Sequence, residues 1–145
     1  MGSYDALCYH CAMNLEDEVL AANEAFYRAF AEHDADAMDA LWARQHGVAC
    51  IHPGWAALRS RAEIIDSWRS ILDSPDAPPI RCADPTVTVA GAMGFVVCSE
   101  LLPGGQLVAT NIFVREINGW RICHHQAAPI ARRIVVEPTP SGELN

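Results

Sequence analysis

The stretch from Leu107 to Ile130, LVATNIFVREINGWRICHHQAAPI, limits what this chain can fold into more than any other. Two long alternating runs flank Asn118-Gly119, a pair suited to the two positive-φ positions of a type I′ turn, so the stretch reads as a β-hairpin. Side chains alternate along a strand, so Ala109, Asn111, Phe113 and Arg115 share one face before the turn. After it, Trp120, Ile122, His124 and Gln126 share a face, with Arg121, Cys123 and His125 on the other. Amides and imidazoles set in an apolar pattern mark this hairpin as the place to look for a site. On this phase His124 lines the same cavity as Asn111, and His125 falls on the outer face, in a subunit contact.

The chain before the hairpin supplies the elements that must cover it. Asn14 is a good N-cap, and Leu15, Val19, Ala22, Phe26 and Phe30 recur at helical spacing, which predicts a first helix to about His33. Asp34-Ala-Asp36 starts a short second helix through Met38, Leu41 and Trp42. Val48 to His52 is a short strand stopped by Pro53-Gly54. Ser60 and Glu63 form a capping box for a third helix carrying Ile64, Ile65, Trp68, Ile71 and Leu72. From Ile80 onward the pattern is β, with Asp84-Pro85 marking a bulge or an edge in the first strand. Arg132-Arg133-Ile-Val-Val is a candidate further strand, followed by a solvated tail. Residues 1–13 read as an extension, 14–130 as one domain and 131–145 as a tail. Helices gathered at the front and strands behind give an α+β architecture, a curled sheet whose helix-covered face encloses a cavity.

Charge and cysteine content narrow the partners. A net charge of −8 argues against nucleic acid, which demands a basic face. No apolar run approaches the ~18–20 residues of a membrane span, and the N-terminus lacks the pattern of a signal peptide, so the expected location is the cytoplasm. Cys50, Cys98 and Cys123 sit among apolar residues as small hydrophobes. Cys8-Tyr-His-Cys11 is a lone CxxC with no second ligand pair, so no metal or cofactor is expected.

The order helix–helix–strand–helix–meander, together with CIHPGW, the Ser67-Trp68 pair, ATNIFVRE and GWRICHHQAAP, resembles the nuclear transport factor 2-like superfamily. Within it the chain is similar to the SnoaL-like and ketosteroid-isomerase-like proteins, over about residues 15–130. The resemblance implies a cone-shaped, curved antiparallel sheet wrapped by three N-terminal helices (the cystatin-like shape) around a pocket. Steroid isomerases of this fold place a base aspartate before a proline at the end of the first strand, which here is His52. Their protonated aspartic acid, a donor to the enolate, matches Asn111, and their tyrosine donor on the first helix matches Phe26, with Tyr27 adjacent. The last strand's pocket positions match His124 and Gln126. Replacing the Tyr/Asp donor pair with Phe and Asn makes steroid isomerisation a poor fit, although an amide NH₂ still donates.

The expected catalytic set is therefore His52 as base, with Asn111 and His124 near the developing enolate oxygen. Phe26, Tyr27, Trp55, Trp68, Phe113 and Gln126 are expected to contact the substrate, a small apolar or carbonyl-containing molecule. The reaction class is proton transfer beside a carbonyl, as in an isomerase, cyclase or dehydratase. The alternative is a domain that binds a ligand or assembles without catalysis. A homodimer through the sheet is expected by resemblance, with Cys98, Cys123 and His125 at its interface.

Overall fold

The computed structural model describes residues 13–131. Cys8, Cys11 and the candidate strand at 132–136 lie outside these residues. Helix α1 runs over Leu15–Ala31, and Asn14 caps it by accepting from the Asp17 N–H at 2.8 Å. It ends with His33 in the left-handed region (φ 53°), where Asp34 N–H reaches Ala29 C=O and His33 N–H reaches Phe30 C=O. Helix α2 covers Ala35–Leu41 and α3 covers Arg61–Asp73, capped by Asp34 and Ser60. No described helix is long and apolar enough to cross a membrane.

The strands are β1 (Ala49–Ile51), β2 (Arg81–Ala90), β3 (Met93–Leu102), β4 (Gly105–Glu116) and β5 (Gly119–Pro129). They form one sheet in the order β1-β5-β4-β3-β2. β2 to β5 are an antiparallel meander, whereas β1 adds in parallel to β5, so the sheet is mixed rather than wholly antiparallel. β2 is an edge strand whose register shifts between Ala83 and Thr86, with Asp84 at φ 51°, as the Asp-Pro pair predicts. The helices pack on one face of the sheet. Their contact is close at Gly94, where an added Cβ would lie 3.0 Å from Val19 Cγ2.

Two features of the main hairpin differ from the sequence reading. Glu116 pairs with Gly119, and of the residues around the turn only Gly119 has positive φ (109°), so Asn118 does not enter the left-handed region of a type I′ turn. Further along, Ile112 pairs with His124 but Phe113 pairs with Ile122. Cys123 is therefore an extra residue, a β-bulge, and every side chain beyond it changes face. Trp120 and Ile122 point into the core as predicted, but the inward residues after the bulge are His125 and Ala127.

Candidate functional site

A pocket of about 330 Å³ opens between the helices and the inner face of the sheet. Phe26 and Phe30 come from α1, and Trp68 and Ile71 from α3. His52, Pro53 and Trp55 follow β1, and Pro78 and Ile80 precede β2. The sheet supplies Glu100, Leu102, Leu107 and His125. Trp55 is 48% exposed at the rim, whereas Trp68 is buried and meets Phe26 edge-on at 5.4 Å. The lining is apolar and aromatic with three titratable groups, the composition expected of a small-molecule site.

The topology brings the two histidines together. Parallel pairing sets Cys50 opposite His125, and His52 lies two residues beyond Cys50 on the same face. Their ring centroids are 6.5 Å apart, and both rings flank Trp68. His52 Nε2 lies 2.9 Å from Ser67 Oγ. The Ser67 hydroxyl has one proton, which it gives to the Ile64 carbonyl at 2.7 Å, so His52 Nε2–H must donate to it. His52 therefore carries its proton on Nε2 and leaves Nδ1 as a lone pair.

His125 is held in the opposite tautomer. Its Nδ1 meets Asn111 Oδ1, while Asn111 Nδ2 donates to Asn23 Oδ1 at 2.9 Å and to Tyr27 OH at 3.1 Å. The amide is thus fixed with its oxygen toward His125, which donates from Nδ1 and keeps Nε2 as a lone pair. Burial lowers His52 to about 4 and His125 to about 3, the latter with smaller contributions from His52 and His124. Both imidazoles are neutral acceptors at neutral pH.

Glu100 is the third titratable group and is only 3% exposed. Its Oε2 accepts from Tyr27 OH at 3.4 Å, which links it through Tyr27 and Asn111 to His125. Burial pushes its carboxyl up to about 7, against a smaller lowering by the tyrosine bond. A carboxyl poised there exchanges its proton near neutral pH, the range in which an acid–base group works best. Burial also raises the Tyr27 phenol, and it raises the Cys98 and Cys50 thiols to about 12, so these neighbours stay protonated.

The predicted residues divide accordingly. His52, Phe26, Trp55 and Trp68 line the pocket. Asn111 and Tyr27 are buried behind it with their polar atoms committed to one another, so Asn111 does not face a substrate. Phe113 is core, away from the lining. His124 and Gln126 are misplaced by the sequence reading, because the bulge at Cys123 turns them to the outer face, and Gln126 is exposed. The same bulge brings His125 inside, so neither it nor the buried Cys98 can serve an interface on the outer face.

Three residues were missed. Glu100 follows Val96 and Cys98 at two-residue spacing, so an acid in phase with a buried face was visible in the sequence. Asn23 sits four residues after Val19 on the buried stripe of α1, where an amide stands out. Ser67 entered the sequence reading only within the Ser67-Trp68 pair, with no role attached to its hydroxyl. Among the described residues no cluster of three metal-ligating side chains forms.

The family model described as a SnoaL-like domain matches residues 19–132. None of the curated proteins matches the chain. Among solved structures, an NTF2-like family protein of Streptomyces avermitilis, proposed to be a dehydratase, is 32% identical with a TM-score of 0.73, covering 80% of this chain and 96% of its own. A Thiobacillus denitrificans protein, proposed to be a calcium/calmodulin-dependent protein kinase type II association domain, is 33% identical with a TM-score of 0.69, covering 77% and 94%. An NTF2-like protein of unknown function from Pseudomonas putida shares the fold at 18% identity and a TM-score of 0.70, covering 81% and 89%.

Proposed function

The chain belongs to the SnoaL-like family within the NTF2-like superfamily, and from that footing we propose that it is an acid–base enzyme that moves a proton beside a carbonyl in a small, uncharged molecule. The observation that carries the reading is Glu100, a buried carboxyl on the pocket wall with its proton affinity raised to about 7. The base is reassigned from His52 to Glu100 for a quantitative reason. At pH 7 a base titrating near 7 holds a proton about three powers of ten more strongly than one titrating near 4, and abstraction from carbon needs that strength.

In the proposed step, the ionised Glu100 takes the proton from carbon and the C–H electron pair moves onto the carbonyl as an enolate. Glu100 then returns the proton, either to a second carbon in an isomerisation or to a departing hydroxyl in a dehydration. One carboxyl carries the proton both ways. The Streptomyces avermitilis relative, proposed to be a dehydratase, supports the second outcome. The test is deuterium exchange beside the carbonyl of 3-hydroxycyclohexanone, which carries both a carbonyl and a hydroxyl that can depart, followed by NMR. Exchange should rise with pH through about 7 and fall by roughly a hundredfold or more in Glu100→Gln. Equal rates in the variant and the native protein would sink the assignment.

We also propose that the protein pairs through the outer face of its sheet. Met93, Phe95 and Val108 are exposed there on adjacent strands, opposite the helices. The likeness to a proposed association domain supports an assembling surface.

A further inference from the structure

The pocket is unusual in the sense of its hydrogen bonds. His52 spends its one N–H on Ser67, and His125 spends its own on Asn111. The other nitrogen of each ring, His52 Nδ1 and His125 Nε2, has no partner among the described residues. Neither is sealed away. The buried, unpaired side-chain atoms among the described residues are Trp42 Nε1, Arg61 Nε and Trp68 Nε1. Since both rings line the pocket, their free lone pairs are accessible there. Glu100 adds carboxyl oxygens, and Oε1 likewise has no partner among the described residues.

The pocket wall therefore offers more acceptors than donors. Of the two indole N–H groups on its aromatic wall, Trp68 Nε1 is sealed from the cavity, and Trp55 lies at the rim, 48% exposed. Among the described residues the lining contains no Lys or Arg, and the chain carries a net charge of −8, so nothing there attracts a carboxylate or phosphate, while an ammonium would give up its hydration against an apolar, aromatic wall. Among the described residues neither imidazole has a carboxylate bonded to it, which removes the usual support for an imidazolium. Both rings stay neutral, in agreement with the lowering caused by burial.

We infer that this pocket selects uncharged ligands bearing hydroxyl groups, which donate to His52 Nδ1 and His125 Nε2 while their apolar bodies lie against Trp68, Phe26 and Phe30. The inference rests on the reading of this pocket as the ligand site, and it specifies the substrate class within it. A buried acceptor left without a donor disfavours a ligand lacking one, so the discrimination is steep. The asymmetry also separates the roles of the three groups. The imidazoles hold the hydroxyl-bearing part of the molecule, which leaves Glu100 free for the proton on carbon.

The experiment uses the whole protein and four ring compounds of similar size, titrated at pH 7 and followed by ¹⁵N-histidine NMR. Phenol should bind at least about tenfold more tightly than anisole, which has the oxygen but no donor. Benzoate and benzylamine should bind more weakly than phenol. Before ligand is added, the spectra should report His52 protonated on Nε2 and His125 on Nδ1, and phenol, with its single hydroxyl, should shift at least one of the two unprotonated nitrogens. Anisole or benzoate equal to phenol, benzylamine tighter than phenol, or either imidazole in the other tautomer overturns the inference. These outcomes are independent of catalysis. If phenol selectivity holds but no carbon-bound proton exchanges, the ligand class stands and the enzymatic reading falls.

Discussion

Replacing Glu100 by Gln should stabilise the protein relative to the native chain by an amount that grows as pH rises from 5 to 8. The carboxyl's ordinary value of 4.5 is raised to about 7 in the folded chain. The folded protein therefore binds more protons than the unfolded chain between those values, so stability falls as pH rises through that window and the loss is complete above it. A raise of this size corresponds to about 3 kcal/mol at pH 8 and to less than about 1 kcal/mol at pH 5. At 3% exposure the side chain is little screened by water. Gln has nearly the same shape as the protonated acid but never ionises, so it should gain roughly that difference over the native protein as pH rises. The other titratable groups around Glu100 do not blur the comparison. Tyr27, Cys82 and Cys98 are all shifted upward, and His52 and His125 are shifted downward. The histidines weaken the fold as pH falls from about 6.5 toward 4, but equally in both proteins, so they cancel. Urea unfolding followed by tryptophan fluorescence at pH 5, 6, 7 and 8 measures the effect. Parallel stability curves for the two proteins would refute a buried, raised carboxyl at this position.

Two further outcomes test the surroundings of the site. Asn111→Ala should cost about 3 kcal/mol in urea unfolding, because it strips partners from His125 Nδ1–H and Asn23 Oδ1 in the buried interior; a cost below about 1 kcal/mol would mean that the amide is not the hub of this network. Phe95→Lys puts a charge on the exposed outer face of the sheet, and sedimentation should then find monomer where the native chain is a dimer; a native chain that sediments only as monomer at micromolar concentration rules out the pairing.

What the sequence determined by itself was local. Caps at Asn14, Asp34 and Ser60, the apolar stripes of α1 and α3, the edge character announced by Asp84-Pro85, and the α+β order were all legible, because each depends on neighbours within a few residues. His52 was placed at the pocket by the resemblance to steroid isomerases, through its position before Pro53 at the end of a short strand. The identity of the second histidine could not be read from the sequence. Alternation alone put His124 inward, yet one unpaired residue, Cys123, moves that role to His125. Whether a strand contains a bulge depends on how its partner strand counts residues, and that pairing is a tertiary fact. The roles of Asn111 and Glu100 were decided in the same way. An amide in an apolar strand donates to a ligand or to its neighbours according to what lies opposite, and here Asn23, Tyr27 and His125 arrive from a helix 84–88 residues away in sequence and from the adjacent strand. A carboxyl becomes a proton carrier near neutral pH only when the fold removes water from around it, and only the packing of α1 against β3 does that for Glu100.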